Sequence, residues 1–561
     1  MRIFRGLALL ALASGLMSGQ TSTPSTNSGA DSSVAEEIRQ LRNALTEQQK
    51  QIARQQQEIE KLRQQVGAPQ QVSATTSDVS PRLVNAALTS ASVTNPTAMP
   101  ATDAPQDKPK ESPLSFRIGG TDFTPGGFVD FENIFRTTNT GNVAATNFWA
   151  IPYSNTVAGH LTEYRGTAQY SRYSLKVNGK YGENNVLAYI EGDFNGNDAA
   201  NVFVSSNSHT NRLRLYWVDL KRGKWEFLGG QTWGLLTANR TGLSPMPADL
   251  ALPIGNDAQV HVGANYTRAN EFRAVYHFTD NFQWGAAIEN PQQFIGQGNE
   301  VIFPSAFNAA LGSQFDNAAV PGAPNAFPDI MTKMAYDSKL GGRKFHWEAG
   351  GLLTSAKVAV VPTVIGATFS KHSKLGGGIQ TAISYDLHKN FRLLGSGMWG
   401  NGVGRYLIGM GPQAVVHPVV ASGAGVCGPG VAGGCDVEIS MVHSGNALVG
   451  AEIQAHPKTQ IGLYYGGAFF QRNFFQDLTL AAKPLIGFGA PGAATANIMN
   501  RAIQEATIDW TQTFWRNPQY GAVQLVTQSS YVTRAPWFVP LGAPKNAHLV
   551  QEFVSLRYVL P

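Results

Sequence analysis

From Phe116 to the end of the chain one unit recurs: two runs that alternate apolar and polar residues, joined by a tight turn. The clearest copy is NRLRLYWVDLKRGKWEFLGGQTWG, residues 211–234. In its first run Arg212, Arg214 and Tyr216 share one face, and Leu213, Leu215 and Trp217 share the other. Lys221, Arg222 and Gly223 turn the chain, and the return run sets Trp225 and Phe227 opposite Glu226. A period of two is that of a β-strand with one wet and one apolar face.

The unit repeats along the chain. GFVDFENIFR (127–136) places Val129, Phe131 and Phe135 opposite Asp130, Glu132 and Arg136. RYSLKVNGKYGENNVLAYIEGDF (172–194) turns at Gly182-Glu183-Asn184, with Glu191 and Asp193 on its polar face. Further tight turns fall at residues 279–281, 341–343, 388–390, 456–458 and 516–518, each between strand-like runs. These hairpins, with a first strand and a last one at 548–560, predict about sixteen strands. The gaps between hairpins are long, at residues 139–166, 234–270, 291–329, 401–440 and 471–500. Short turns at one end and long loops at the other predict an all-β transmembrane barrel of antiparallel strands over residues 116–561. An even strand count puts both ends of the barrel on the short-turn side. Hydrophobic residues make up 43% of the chain, yet beyond the N-terminus none gather into the roughly 20-residue run of a spanning helix.

Three segments precede the barrel. Residues 1–20 carry Arg2 and Arg5 ahead of a short apolar run, which predicts a secretory signal peptide. Over residues 34–66, Ile38, Leu45, Ile52, Ile59 and Val66 take one heptad position, while Val34, Leu41 and Leu62 take the other with Gln48 and Gln55. So narrow a seam is buried only against another copy, so this helix predicts a self-associating α-helical coiled coil, and the seam alone does not decide between two chains and three. Residues 67–115, rich in Pro, Ala, Ser and Thr, read as a linker. With both barrel ends on the short-turn side, the coiled coil is expected in the periplasm, below an outer-membrane barrel.

A net charge of +5 over 561 residues is too small to argue for a nucleic-acid partner. The histidines lack metal-protease spacing, the Gly-rich run near residues 423–434 lacks a phosphate-loop Lys, and Ser244 lacks the frame of a nucleophile elbow. No enzyme activity, metal or cofactor is therefore expected. Cys427 and Cys435 flank GPGVAGG in a long loop of an exported protein, which predicts a local disulfide. Function then rests on what lines the lumen. The loop at 234–270 is long and partly apolar, as a segment that folds inward would be; it offers Asp249, Asp257 and Arg240. The facing walls offer Arg172, Lys176, Arg212, Arg214 and Arg273. Arginines beside a constriction attract carboxylates through forked hydrogen bonds. The competing reading pairs them with Glu191, Asp193, Asp130 or Glu132. Tyr189 and Tyr216 are the expected inward aromatics, too few for a sugar slide.

The order of segments resembles that of the DcaP-like trimeric outer-membrane porins. The resemblance rests on LRLYWVDLKRGKWEFLGGQTW (213–233), ENPQQF (289–294), RAIQEATIDWTQTFWRNPQYGAVQLVTQSSYVTRAPW (501–537) and the ending LRYVLP (556–561). It implies a homotrimer held by the N-terminal helices, in contact with outer-membrane lipid. It also implies a basic constriction for small organic anions such as dicarboxylates, with Arg212 and Arg214 lining the pore. Sugar transport and a structural tether between membrane and cell wall are the other functions such a chain would serve.

Overall fold

A computed structural model describes Lys50 and residues 112–561, apart from 143, 197–208, 297–299, 318–323, 430–432 and 494–495. The expected signal peptide, coiled coil and most of the linker lie outside the described residues.

Sixteen antiparallel strands close into a barrel. The first strands are β1 (Thr121–Arg136), β2 (Glu163–Thr167 continued by Arg172–Tyr181), β3 (Asn184–Asp193) and β4 (Arg212–Arg222). Next come β5 (Trp225–Thr232), β6 (Ala269–His277), β7 (Phe282–Glu289), β8 (Asp329–Leu340) and β9 (Arg343–Val360). Then follow β10 (Ser370–His388), β11 (Phe391–Asn401), β12 (His443–His456) and β13 (Thr459–Phe470). The last are β14 (Asn500–Asn517), β15 (Gly521–Pro536) and β16 (Ala547–Val559). β1 pairs with β2 on one side and with β16 on the other, from Phe128↔Val559 to Arg136↔Gln551. Closure leaves no wall strand with an unpaired edge, which is what a spanning sheet requires.

Every even-to-odd connection is a tight turn, and every odd-to-even connection is a longer loop. The loop between β9 and β10 is the shortest of these; it and the loops after β3 and β15 are not among the gaps marked in the sequence. Outward positions are apolar and exposed, among them Val129, Phe131, Leu213, Phe227, Phe272, Trp284 and Ile383. A surface of that kind suits lipid rather than water. No described helix is long and apolar enough to cross a membrane.

One strand departs from strict alternation. In β4, Leu215 pairs with Glu191 and Leu213 with Gly192, so Arg214 is an extra residue in the ladder. This bulge turns the rest of the strand over. Tyr216, expected inside, lies outside and donates its hydroxyl to Asn270 Oδ1 at 2.6 Å. Trp217, expected outside, lies inside and stacks on Tyr189 at 5.6 Å.

The long loops build a second core inside the loop end of the barrel, where Phe294, Phe303, Phe315, Tyr406, Phe470 and Phe488 are buried together. Two small hairpins stiffen it: Ala414–Val420 with Cys435–Met441, and Asn473–Gln476 with Leu485–Phe488. Cys427 and Cys435 are joined by a disulfide.

Candidate pore constriction

The loop of residues 233–268, between β5 and β6, enters the barrel. Leu235, Leu236, Leu250, Ile254 and Val262 are buried, which draws this stretch out of water. Its backbone then needs partners inside. The walls supply them through inward polar side chains. The N–H groups of Asn239, Gly242 and Leu243 donate to Glu348, Asp337 and Gln283 at 3.1, 2.9 and 3.0 Å. Those of Asn256 and Val262 donate to Gln528 and Glu505 at 2.7 and 2.8 Å. The acceptors stand on β7, β8, β9, β14 and β15, so the loop spans the lumen from wall to wall. Where it meets β13 the wall residue is Gly466, at which a Cβ would stand 1.9 Å from the Val262 carbonyl oxygen.

Arg240 fastens the crossing. Its Nη1 and Nη2 each donate to a Glu452 oxygen at 2.6 Å, while Nε and Nη2 hold the carbonyls of Leu250 and Leu252 at 3.0 and 3.1 Å. Lys333 adds bonds to Thr237 O and Asn239 Oδ1, both at 2.8 Å.

On the side of β1, β2 and β4 the loop stands off, leaving a gap of about 70 Å³ whose edge at β16 is closed by Arg557, which donates to Asn256 Oδ1 of the loop at 3.0 Å. Phe128, Tyr170, Arg172, Arg214, Trp233 and Arg557 border it, facing Leu250, Pro253, Ile254 and Asp257 of the loop. The guanidinium groups lie on aromatic rings. Arg172 is 5.3 Å from both the Phe128 and Tyr170 centroids, and Arg557 is 4.4 and 5.4 Å from the same rings. Arg214 and Arg268 lie 5.2 and 5.3 Å from Trp233. Stacking of this kind holds a cation in place while leaving its N–H edge available.

Most of this charge is compensated. Arg557 donates twice to Asp130, at 3.1 and 2.7 Å. Arg214 bonds Glu191 at 2.6 Å and Asp193 at 3.2 Å, and Arg212 forks onto Asp193 at 2.9 and 2.7 Å. Arg172 is different. It stands 3.6 Å from Glu191, and its Nε and Nη2 are buried with no acceptor among the described residues. Arg268, at the end of the crossing loop, makes no ion pair among the described residues. Burial, then the positive charges of Arg214 and Arg212, lower its pKa, and as a guanidinium it is cationic at neutral pH.

The residues singled out in the sequence divide by location. Arg172, Arg214 and Asp257 border the gap, and Arg212 is tied to it through Asp193. Asp257 also pins the loop by accepting from Thr146 N, Gln259 N and Gln551 Nε2 at 3.1, 2.8 and 3.4 Å. Burial raises its pKa. Arg273 bonds Glu271 at 2.6 Å and the Leu243 carbonyl at 3.3 Å, and so anchors the loop away from the gap. Lys176 faces inward on β2 and does not border the gap. Asp249 ends a short turn in the loop, where its carbonyl accepts from Arg240 N at 2.7 Å and burial raises its carboxyl pKa. Arg268 and Arg557 were not singled out. Arg557 shares its face of the last strand with Phe553 and Ser555, opposite Val554, Leu556 and Tyr558, whereas Arg268 precedes its strand and no alternation reaches it.

No family model and no curated protein sequence matches the chain. Among solved structures, the outer membrane channel DcaP of Acinetobacter baumannii is similar, with a TM-score of 0.51 at 16% identity over 78% of this chain and 97% of that one. The fold is DcaP-like. Weaker likeness extends to OprB of Pseudomonas putida (TM-score 0.40, 9% identity, 78% of this chain and 94% of that one). It extends also to an anion-selective porin from Comamonas acidovorans (TM-score 0.39, 12% identity, 78% and 99%).

Proposed function

We propose that the chain is an outer-membrane porin, a water-filled diffusion channel for small hydrophilic solutes that favours organic anions such as dicarboxylates. The observation that carries this reading is Arg172, whose buried Nε and Nη2 lack acceptors beside the gap. A buried donor without a partner costs about 1–3 kcal/mol, and a passing carboxylate relieves that cost. Arg268 adds a charge that no carboxylate neutralises among the described residues. A dianion would meet both in turn. Glu191 and Asp193 hold Arg212 and Arg214 in check, which keeps binding weak enough for release.

The apolar outer face and the DcaP-like fold support an outer-membrane setting. The heptad at residues 34–66 and the family resemblance support a homotrimer with a periplasmic coiled coil. A sugar pathway would need free ring faces along the lumen. At the gap, those of Phe128, Tyr170 and Trp233 are occupied by guanidinium groups.

The test is the reversal potential of the purified protein in a planar bilayer under a salt gradient, with and without dicarboxylate. Anion preference with dicarboxylate block is the expected result. A cation-selective or neutral open pore refutes the anion reading, and well-folded protein without conductance refutes the channel.

A further inference from the structure

At the long-loop end Trp537 is half-buried just beyond β15, packed against the loop core. Its Nε1 donates to Phe470 O at 2.8 Å and its backbone N–H to Met499 O at 3.0 Å. Its ring meets Phe469 edge-on at 6.0 Å, and Phe469 stacks with Trp399 at 6.3 Å. Aromatic residues in that position mark the level of lipid headgroups.

Two arginines share this indole. Arg472 lies 5.4 Å from the Trp537 centroid and 5.6 Å from that of Phe474; Arg501 lies 6.0 Å from Trp537. Both are exposed. Arg501 is turned to the surface by a bulge, since Asn500 pairs with Pro536 and Ala502 with Ala535. Gly489, at φ +72°, packs against the pair so closely that a Cβ there would stand 2.7 Å from Arg472 Cβ and 2.9 Å from Trp537 Cδ1.

Neither arginine has an ion-pair partner among the described residues. At the short-turn end exposed Arg117 bonds Asp122 at 2.6 Å and Arg222 bonds Glu183 at 3.1 Å, while exposed Arg516 has no ion pair among the described residues. What sets Arg472 and Arg501 apart is the one fixed indole they share, which holds two open cations side by side for an anion from outside the chain. Arginine forks match phosphate oxygens.

We propose that Arg472 and Arg501, braced on Trp537, bind the phosphate of an outer-leaflet lipid headgroup. This rests on the outer-membrane reading above but not on the pore's selectivity. The experiment reconstitutes the full chain in phosphatidylcholine vesicles carrying lipid A, extracts it gently, and measures retained lipid A by native mass spectrometry. An Arg472→Gln/Arg501→Gln variant should retain several-fold less, with conductance unchanged to show an intact barrel. An Arg472→Lys/Arg501→Lys variant should recover part of the loss. Dephosphorylated lipid A should not be retained by the wild type. Equal retention by the Gln variant, or equal retention of the dephosphorylated lipid, overturns the site. Displacement of the lipid by inorganic phosphate at physiological concentration overturns the lipid as its source. An open channel that retains no lipid A refutes this inference and leaves the porin reading intact.

Discussion

Toward β14 and β15 the crossing loop donates its backbone N–H groups to Glu505 and Gln528, and the contact is closed. Toward β2 and β4 the same loop leaves a gap bordered by guanidinium groups, one of which has unbonded donors. Both borders are lined by buried polar side chains, so burial and charge alone do not distinguish a seal from a passage. The kind of unbonded group does. Toward β14 the buried oxygens of Asp509 lack partners and are acceptors, whereas toward β2 the Nε and Nη2 of Arg172 are donors, which an anionic guest can satisfy.

The largest way to break this contrast is to release the loop from the sealed side. Arg240→Ala removes the fork onto Glu452, a carboxylate that is 0% exposed. Tyr464 and Arg392 remain near it, at 3.0 and 3.7 Å, and only partly replace the lost charge. A loss of about 3 kcal/mol is expected, with single-channel conductance rising as the loop leaves the lumen. Thermal unfolding and bilayer recording check the two effects. In Arg240→Ala/Glu452→Gln the stranded charge is gone, so stability should return while conductance stays high. Wild-type conductance in both variants would mean that the loop is held by its other bonds.

Arg172→Gln acts on the open side. It removes the guanidinium with unbonded donors and leaves the neighbouring Arg214 on its two carboxylates. Anion-over-cation permeability should fall on the order of tenfold, about 1.4 kcal/mol. Arg214→Gln would instead strand Glu191 and Asp193, so its selectivity change should come with lost stability. Equal effects from the two substitutions would remove the distinction between an arginine hydrogen-bonded to its carboxylates and one whose Nε and Nη2 lack acceptors.

These distinctions were unevenly visible in the sequence. Strand number and turn positions follow from period-two runs bounded by short polar turns, a local signal carried by each hairpin alone. The inward course of residues 233–268 was foreshadowed by its apolar content. The β4 bulge was not, because an extra residue is set by which carbonyls β3 presents, and that pairing lies outside the segment itself. One inserted residue exchanged Tyr216 for Trp217 as the inward aromatic. The choice among arginines was also out of reach. Alternation places Arg172, Arg212 and Arg214 on one wet face, but only geometry shows that Asp193 and Glu191 satisfy two of them before the third.

The smallest expected effect concerns Arg268, which shares Trp233 with Arg214 but lacks a carboxylate among the described residues. A guanidinium keeps its proton, so substitution rather than pH removes this charge. Arg268→Gln should lower anion preference by less than Arg172→Gln, because Arg268 is partly exposed, water screens it, and it does not border the gap. Reversal potentials of the two variants check this order. A drop as large as that of Arg172→Gln would place Arg268 in the ion path, and no drop at all would leave it as packing for Trp233.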